Sequence, residues 1–132
     1  MPAERTASCA CGRLTATTAV EPLRVSVCHC LACQRRTGSV FGAQARFPEA
    51  SVTVRGESRE YVRVGDEGSR IRFRFCPHCG STVYYTAEGL EDYIAIPIGA
   101  FADSTLPAPS VSIYEDRMHS WIHLPDDIEH MA

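Results

Sequence analysis

The sequence contains no lysine: all 13 of its basic residues are arginine, set against 16 acidic residues, for a formal net charge of −3. A nucleic-acid binder usually carries a basic excess, so this balance points away from nucleic acid and from anionic membrane surfaces. No run approaches the ~20 apolar residues that a membrane-spanning helix needs. Residues Met1 to Gly12 lack the apolar core of a secretory signal, so the cytoplasm is the expected compartment. There is no internal repeat, no low-complexity run and no linker, and Pro and Gly are spread as turn punctuation. Residues 1–132 therefore read as one domain, long enough to bury a core.

What is there reads mainly as short strands. Leu14 to Val20 and Leu23 to Val27 are separated by Glu21-Pro22, and Val40 to Phe47 is closed by Pro48. Ser51 to Arg55, Thr82 to Thr86, Tyr93 to Ile98 and Val111 to Tyr114 have the same strand-like composition. The clearest hairpin pairs Glu60 to Val64 with Arg70 to Phe75 through Gly65-Asp66-Glu67-Gly68. In its second strand Ile71, Phe73 and Phe75 alternate with Arg70, Arg72 and Arg74, the period of two of a half-buried strand with a wet arginine face. One short helix is expected from near Cys30 to about Thr37, stopped by Gly38. The expected class is mainly β with one short helix.

The seven cysteines all fall in close-spaced groups. They are Cys9-Ala10-Cys11-Gly12, Cys28-His29-Cys30-Leu31-Ala32-Cys33 and Cys76-Pro77-His78-Cys79-Gly80. In a reducing compartment such groups are metal ligands before they are disulfides. In the first and third groups a Gly follows the second Cys, as in a zinc knuckle, where the chain turns tightly under the metal with a positive φ. Four thiolates from two knuckles close a tetrahedral structural zinc. The middle group offers three thiolates, and Gln34-Arg35-Arg36-Thr37 continues it as helix. Three protein ligands leave one position open, the arrangement of a catalytic zinc. Two alternatives stay open: His29 or a distant side chain closes the middle site, or Cys9 and Cys11 join Cys28 and Cys30.

Cys9-x-Cys11-Gly12, Cys28-His29-Cys30-x-x-Cys33-Gln34-Arg35-x-Thr37-Gly38-Ser39 and Phe75-Cys76-x-x-Cys79-Gly80-Ser81 together resemble the signature of the glutathione-dependent formaldehyde-activating family. That family also includes the centromere protein V domain. The tail from Ile113 to Trp121, followed by Leu124-Pro125-Asp126-Asp127, is similar to the family's closing segment. The resemblance implies a β-tent, antiparallel sheets around a structural zinc held by Cys9, Cys11, Cys76 and Cys79. It implies a second zinc at Cys28, Cys30 and Cys33, hence two Zn²⁺ per chain. It also implies the activity of an S-(hydroxymethyl)glutathione synthase, a carbon–sulfur lyase with glutathione and formaldehyde as substrates.

An open zinc binds a thiol as thiolate, which adds to the carbonyl carbon of formaldehyde. Arg35 and Arg36 are the candidates for holding the carboxylates of glutathione, against the alternative of a solvated helix face. Trp121 is a candidate pocket wall, against the alternative of a core residue. His29 and His78 read as spacers inside their cysteine groups. The competing functional class is a non-enzymatic zinc-binding β-tent module that binds a protein partner. In such a module Cys28, Cys30 and Cys33 would have no use.

Overall fold

Apolar residues at every second position of short strands give each strand one face that must leave water, and two sheets stacked on those faces meet the need. The computed structural model describes residues 4–131. In chain order it contains β1 (Arg5–Ser8), β2 (Thr15–Thr18), β3 (Arg24–Cys28), α1 (Leu31–Thr37), β4 (Gly42–Pro48), β5 (Val52–Arg55) and β6 (Arg59–Val64). There follow β7 (Arg70–Phe75), β8 (Thr82–Ala87), β9 (Tyr93–Pro97), β10 (Val111–Ile113) and β11 (Glu129–Met131), with short 3₁₀ turns at Glu49–Ser51, Ile98–Phe101 and Glu115–Arg117. Every strand expected from the sequence is present within two residues of its expected limits, and the helix begins one residue after Cys30. The strands not anticipated are β1 and β11; β11 is exposed along its whole length, so no apolar alternation marks it. Among the described residues no helix is long and apolar enough to cross a membrane.

The smaller sheet has the order β1-β2-β5, and the larger β11-β10-β3-β4-β9-β8-β7-β6. Pairing is antiparallel except at one edge, where β10 runs parallel to both β3 and β11. The core lies between the sheets. Ala7, Leu14 and Ala16 come from β1, β2 and the turn between them, and Val25, Ala45, Phe47, Val83, Ile94 and Ile96 from the larger sheet. Phe101 packs its ring against Phe47 with centroids 5.9 Å apart. Burying Phe47 or Leu14 completely contributes about 1.5–3 kcal/mol each. On β7, Phe73 is buried, while Arg72 and Arg74 on the opposite face both reach Glu60 of β6, at 3.2 and 3.1 Å.

The other face of the larger sheet carries α1. Period-two alternation puts Arg24, Ser26 and Cys28 of β3 on it, next to Gln44 and Arg46 of β4, Tyr85 of β8 and Phe73 of β7. Cys28 pairs with Gly42 across the β3–β4 ladder. A Cβ on Gly42 would stand 3.2 Å from Cys33 Cβ and 3.1 Å from Arg36 Nη2, so a side chain there would push the helix and the sheet apart by a few tenths of an ångström.

Candidate metal centres and the cavities beside them

Cys9 and Cys11 lie in the turn between β1 and β2, and Cys76 and Cys79 in the turn between β7 and β8. Their four sulfurs lie within 4.8 Å of one another, with Cys9–Cys11 at 3.7 Å and Cys11–Cys76 at 3.6 Å. A tetrahedral ion with metal–sulfur bonds of about 2.3 Å has sulfur–sulfur edges of about 3.8 Å, so the donor set fits zinc. The two turns share one construction. Gly12 and Gly80 take φ of 84° and 80° and donate their N–H groups to the carbonyls of Cys9 and Cys76, at 3.1 and 2.8 Å. Backbone N–H groups point at the buried sulfurs, Leu14 to Cys9 at 3.2 Å and His78 to Cys76 at 3.4 Å. The Ala10 N–H donates to the Ser81 hydroxyl at 3.2 Å and ties one turn to the other.

Crowding splits the thiols. Hydrogen bonds from Ser81 bring Cys79 down to about 5. At Cys11 the Arg13 N–H favours the thiolate, but burial and the sulfurs of Cys76, Cys9 and Cys79 outweigh it and push the thiol up to about 11. Four thiolates this close repel one another, and a divalent cation at their centre relieves that repulsion.

The second cluster is built on a strand–helix junction. Cys28 ends β3, Cys30 is the N-cap of α1 and Cys33 lies in its first turn. The Cys30 sulfur accepts the Cys33 N–H at 3.3 Å, a capping bond made by sulfur. Cys28 and Cys33 are buried and Cys30 is half-buried; the three sulfurs lie within 4.8 Å of one another. The Cys28 thiol is the largest of the effects that bring Cys33 down to about 5, and the Arg36 guanidinium adds to it. Cys33 and burial in turn push Cys28 well up.

His29 is fully buried, but its Nε2 faces the Ser112 hydroxyl at 3.0 Å and its ring stands edge-on to Phe41. His78 is exposed. Neither histidine belongs to either cluster, and among the described residues the middle cluster holds three thiols with no fourth protein ligand. Cys9 and Cys11 group with Cys76 and Cys79, which closes the alternative partition of the ligands.

The three-thiol cluster opens on a cavity of about 520 Å³, whose wall also includes Gln44, Arg63, Ile71, Tyr85, Tyr114 and Asp116. Burial, above all, raises the Tyr85 hydroxyl above its ordinary value, so it stays protonated and able to donate. Across Ala32 and Arg63 a second hollow of about 570 Å³ adjoins it, lined by Arg35, Arg36, Arg63, Tyr61, Phe73 and Phe75 with no acidic residue. Arg36 lies over the rings of Phe73 and Tyr85, at 5.2 and 5.3 Å, and Arg63 also lies over Phe73, at 5.8 Å. Arg35 and Arg36 thus line the second hollow, and Arg36 also reaches the cysteine cluster at Cys33. Trp121 is 64% exposed, stands edge-on to His119 and lines neither space.

Sequence reasoning missed Arg63, Tyr85 and Tyr114, which arrive from three separate strands or turns, and it missed the task of Gln34. The Gln34 amide donates to His29 O at 2.8 Å and to Arg117 O at 3.3 Å, and its carbonyl faces His119 Nε2 at 3.0 Å. One helix side chain thereby fastens the tail segment beside the cluster.

The model of the family described as glutathione-dependent formaldehyde-activating enzyme matches residues 4–117. No curated protein gives a match to the chain. The crystal structure of a Rhodobacter sphaeroides protein shares the fold, with a TM-score of 0.57 at 18% sequence identity, over 77% of this chain and 90% of that one. With a family match over most of its length and both cysteine clusters assembled, the chain belongs to the glutathione-dependent formaldehyde-activating enzyme family.

Proposed function

We propose that the protein is a zinc-dependent carbon–sulfur lyase that joins formaldehyde to glutathione, or to a related thiol, and splits the S-hydroxymethyl adduct in reverse. One observation carries this reading. Among the described residues a cluster of three thiols with no fourth protein ligand lines a cavity, and Arg35, Arg36 and Arg63 line the adjoining hollow with no acidic residue. Zinc held by Cys28, Cys30 and Cys33 supplies Lewis acidity, which keeps a substrate thiol ionised at neutral pH. The thiolate sulfur forms a bond to the carbonyl carbon as the π electrons move to oxygen, and a proton then gives the thiohemiacetal. In the reverse direction that proton leaves and the carbon–sulfur bond breaks.

The chain's own residues bind and orient. Arg36 is positioned on the aromatic floor of Phe73 and Tyr85 to hold a carboxylate, with Arg35 at the exposed rim. The Tyr85 hydroxyl is the donor for the developing oxygen. A purely structural zinc module that binds a protein partner needs only the closed four-thiol site and leaves the second cluster without a task. All seven cysteines are free thiols, which suits a reducing cytoplasm and a small-molecule thiol substrate.

Calorimetry on the zinc-loaded protein tests the reading. Glutathione binds with release of a proton, counted by comparing two buffers of different ionisation heat. S-methylglutathione keeps both carboxylates, has no ionisable thiol, and binds much more weakly. Arg36→Ala weakens glutathione binding by about 1.5–3 kcal/mol, and Arg35→Ala by less because solvent screens an exposed charge. Equal affinity for glutathione and its S-methyl derivative refutes the thiolate mechanism.

A further inference from the structure

A third hollow lies on the same face of the larger sheet, beyond the wall that Gln44 and Tyr85 form for the thiol cavity. Its volume is about 110 Å³, and it is lined by Arg24, Ser26, Gln44, Arg46, Thr86 and Tyr93, among others, with no acidic residue. An engineered cavity of about 150 Å³ holds one benzene ring, so this space suits a group of a few heavy atoms.

Arg24 and Arg46 are directly opposite in the antiparallel β3–β4 ladder. Like charges in that position destabilise a sheet. Neither forms an ion pair within 4.0 Å among the described residues, although Arg5, Arg72, Arg74 and Arg117 all do. Arg46 lies over the Tyr93 ring at 5.4 Å, and both residues line the hollow. Burial and the Arg46 charge both pull Arg24 below its ordinary value, and Glu129 is the acid that opposes them. In a chain of net charge −3, two facing arginines with no carboxylate within 4.0 Å among the described residues make a local positive spot, which Glu129 offsets only from farther away.

We propose that the hollow between Arg24 and Arg46 is a binding site for one oxyanionic group, a carboxylate or a phosphate, separate from both cysteine clusters. Two guanidinium groups, which pair oxyanions bidentately, line it with the hydroxyl-bearing Ser26, Thr86 and Tyr93 and with Gln44, whose Oε1 is buried without a hydrogen-bond partner among the described residues. A bound anion would relieve the repulsion between the arginines. The group arrives either as a free small anion or as the far end of a larger ligand lying along the sheet face. The site stands whether or not the lyase reading holds.

The test uses the zinc-loaded protein, Arg24→Gln, Arg46→Gln and the surface control Arg55→Gln. Thermal midpoints are measured in phosphate, acetate and chloride at matched ionic strength, and glutathione affinity by calorimetry. Arg24→Gln removes one of two facing like charges and breaks no ion pair, so it melts no lower than wild type in chloride. If the anion is free, phosphate or acetate stabilises wild type and Arg55→Gln beyond chloride, and both hollow variants lose that increment. If it is the end of a larger ligand, the small anions give no increment. Glutathione affinity then falls by about tenfold in each hollow variant, the effect of one lost charge-assisted bond. Arg46→Lys, which keeps the charge and loses the fork, falls between wild type and Arg46→Gln. No anion-specific stabilisation, together with the same glutathione affinity in wild type and both hollow variants, overturns the proposal.

Discussion

Replacing Cys76 by serine removes one corner of the four-sulfur cluster and, with it, the pin between two sheets. The smaller sheet meets the larger through Ala7, Leu14 and Ala16, through the partly buried Val52 and Val54 of β5, and through the two cysteine turns. Of those side chains only Leu14 is both large and fully buried, and its burial contributes about 1.5–3 kcal/mol. A structural zinc contributes on the order of 10 kcal/mol of folding energy in small zinc modules. At ~0.05–0.15 kcal/mol per residue, a chain of 132 residues has a total stability of about 7–20 kcal/mol, so the zinc term is comparable with the whole. Cys76 is also fully buried, so the serine hydroxyl lands where a sulfur accepts the His78 N–H and water does not reach. Cys76→Ser therefore gives insoluble or unfolded protein.

Cys30→Ser is the contrasting variant. Cys30 is half-buried, and serine is a better N-cap than cysteine for the Cys33 N–H, so helix α1 keeps its cap, worth about 0.5–2 kcal/mol. That variant folds and loses one zinc. Circular dichroism melts, gel filtration and elemental analysis read both outcomes. A cooperative melt of Cys76→Ser within about 5 °C of wild type, or equal collapse of the two variants, refutes the division into one structural and one open site.

Protein purified without chelator contains about two Zn²⁺ per chain by elemental analysis; a content that stays at one in excess zinc removes the second site. Gly42→Ala leaves the four-thiol site and the fold intact but drives a methyl group into Arg36 and Cys33, 3.5 Å from the Cys33 sulfur. Chelator competition should then show about a tenfold or greater loss of affinity for the second zinc alone, and unchanged affinity contradicts the close approach. Glu115 is held below the usual carboxylate range, first by the Ser112 hydroxyl and then by His130, whose Nδ1 lies 2.6 Å away. A depressed carboxylate stabilises the fold above its ordinary value and loses that contribution as pH falls through its folded value. Glu115→Gln therefore melts below wild type near neutral pH, and the gap narrows as pH falls below the ordinary glutamate value of 4.5. A gap that stays constant with pH refutes the assignment.

The strands and the helix were legible because their signals are local. Period-two alternation from Arg70 to Phe75 and the junction from Cys30 to Gly38 need no distant partner to be read. β11 was not legible because all of its residues are exposed, and only its pairing with β10 makes it a strand. The members of both cysteine clusters were legible for a local reason too. Two thiols two or three residues apart reach one ion, and Gly12 and Gly80 mark the turns that such a reach requires.

The sequence by itself determined the mainly β class, the short helix, the three cysteine groups and the glycine-marked turns, since each is written within a dozen residues. Tertiary structure alone decided which cysteine groups come together, because Cys11 and Cys76 are 65 positions apart and meet only when the two sheets stack. It alone turned His29 toward Ser112 and left Trp121 in solvent. It also assembled the arginine and tyrosine walls from β3, β4, β6 and β8. A cavity is bounded by residues that are neighbours in space and strangers in sequence, so its wall has no local pattern to read.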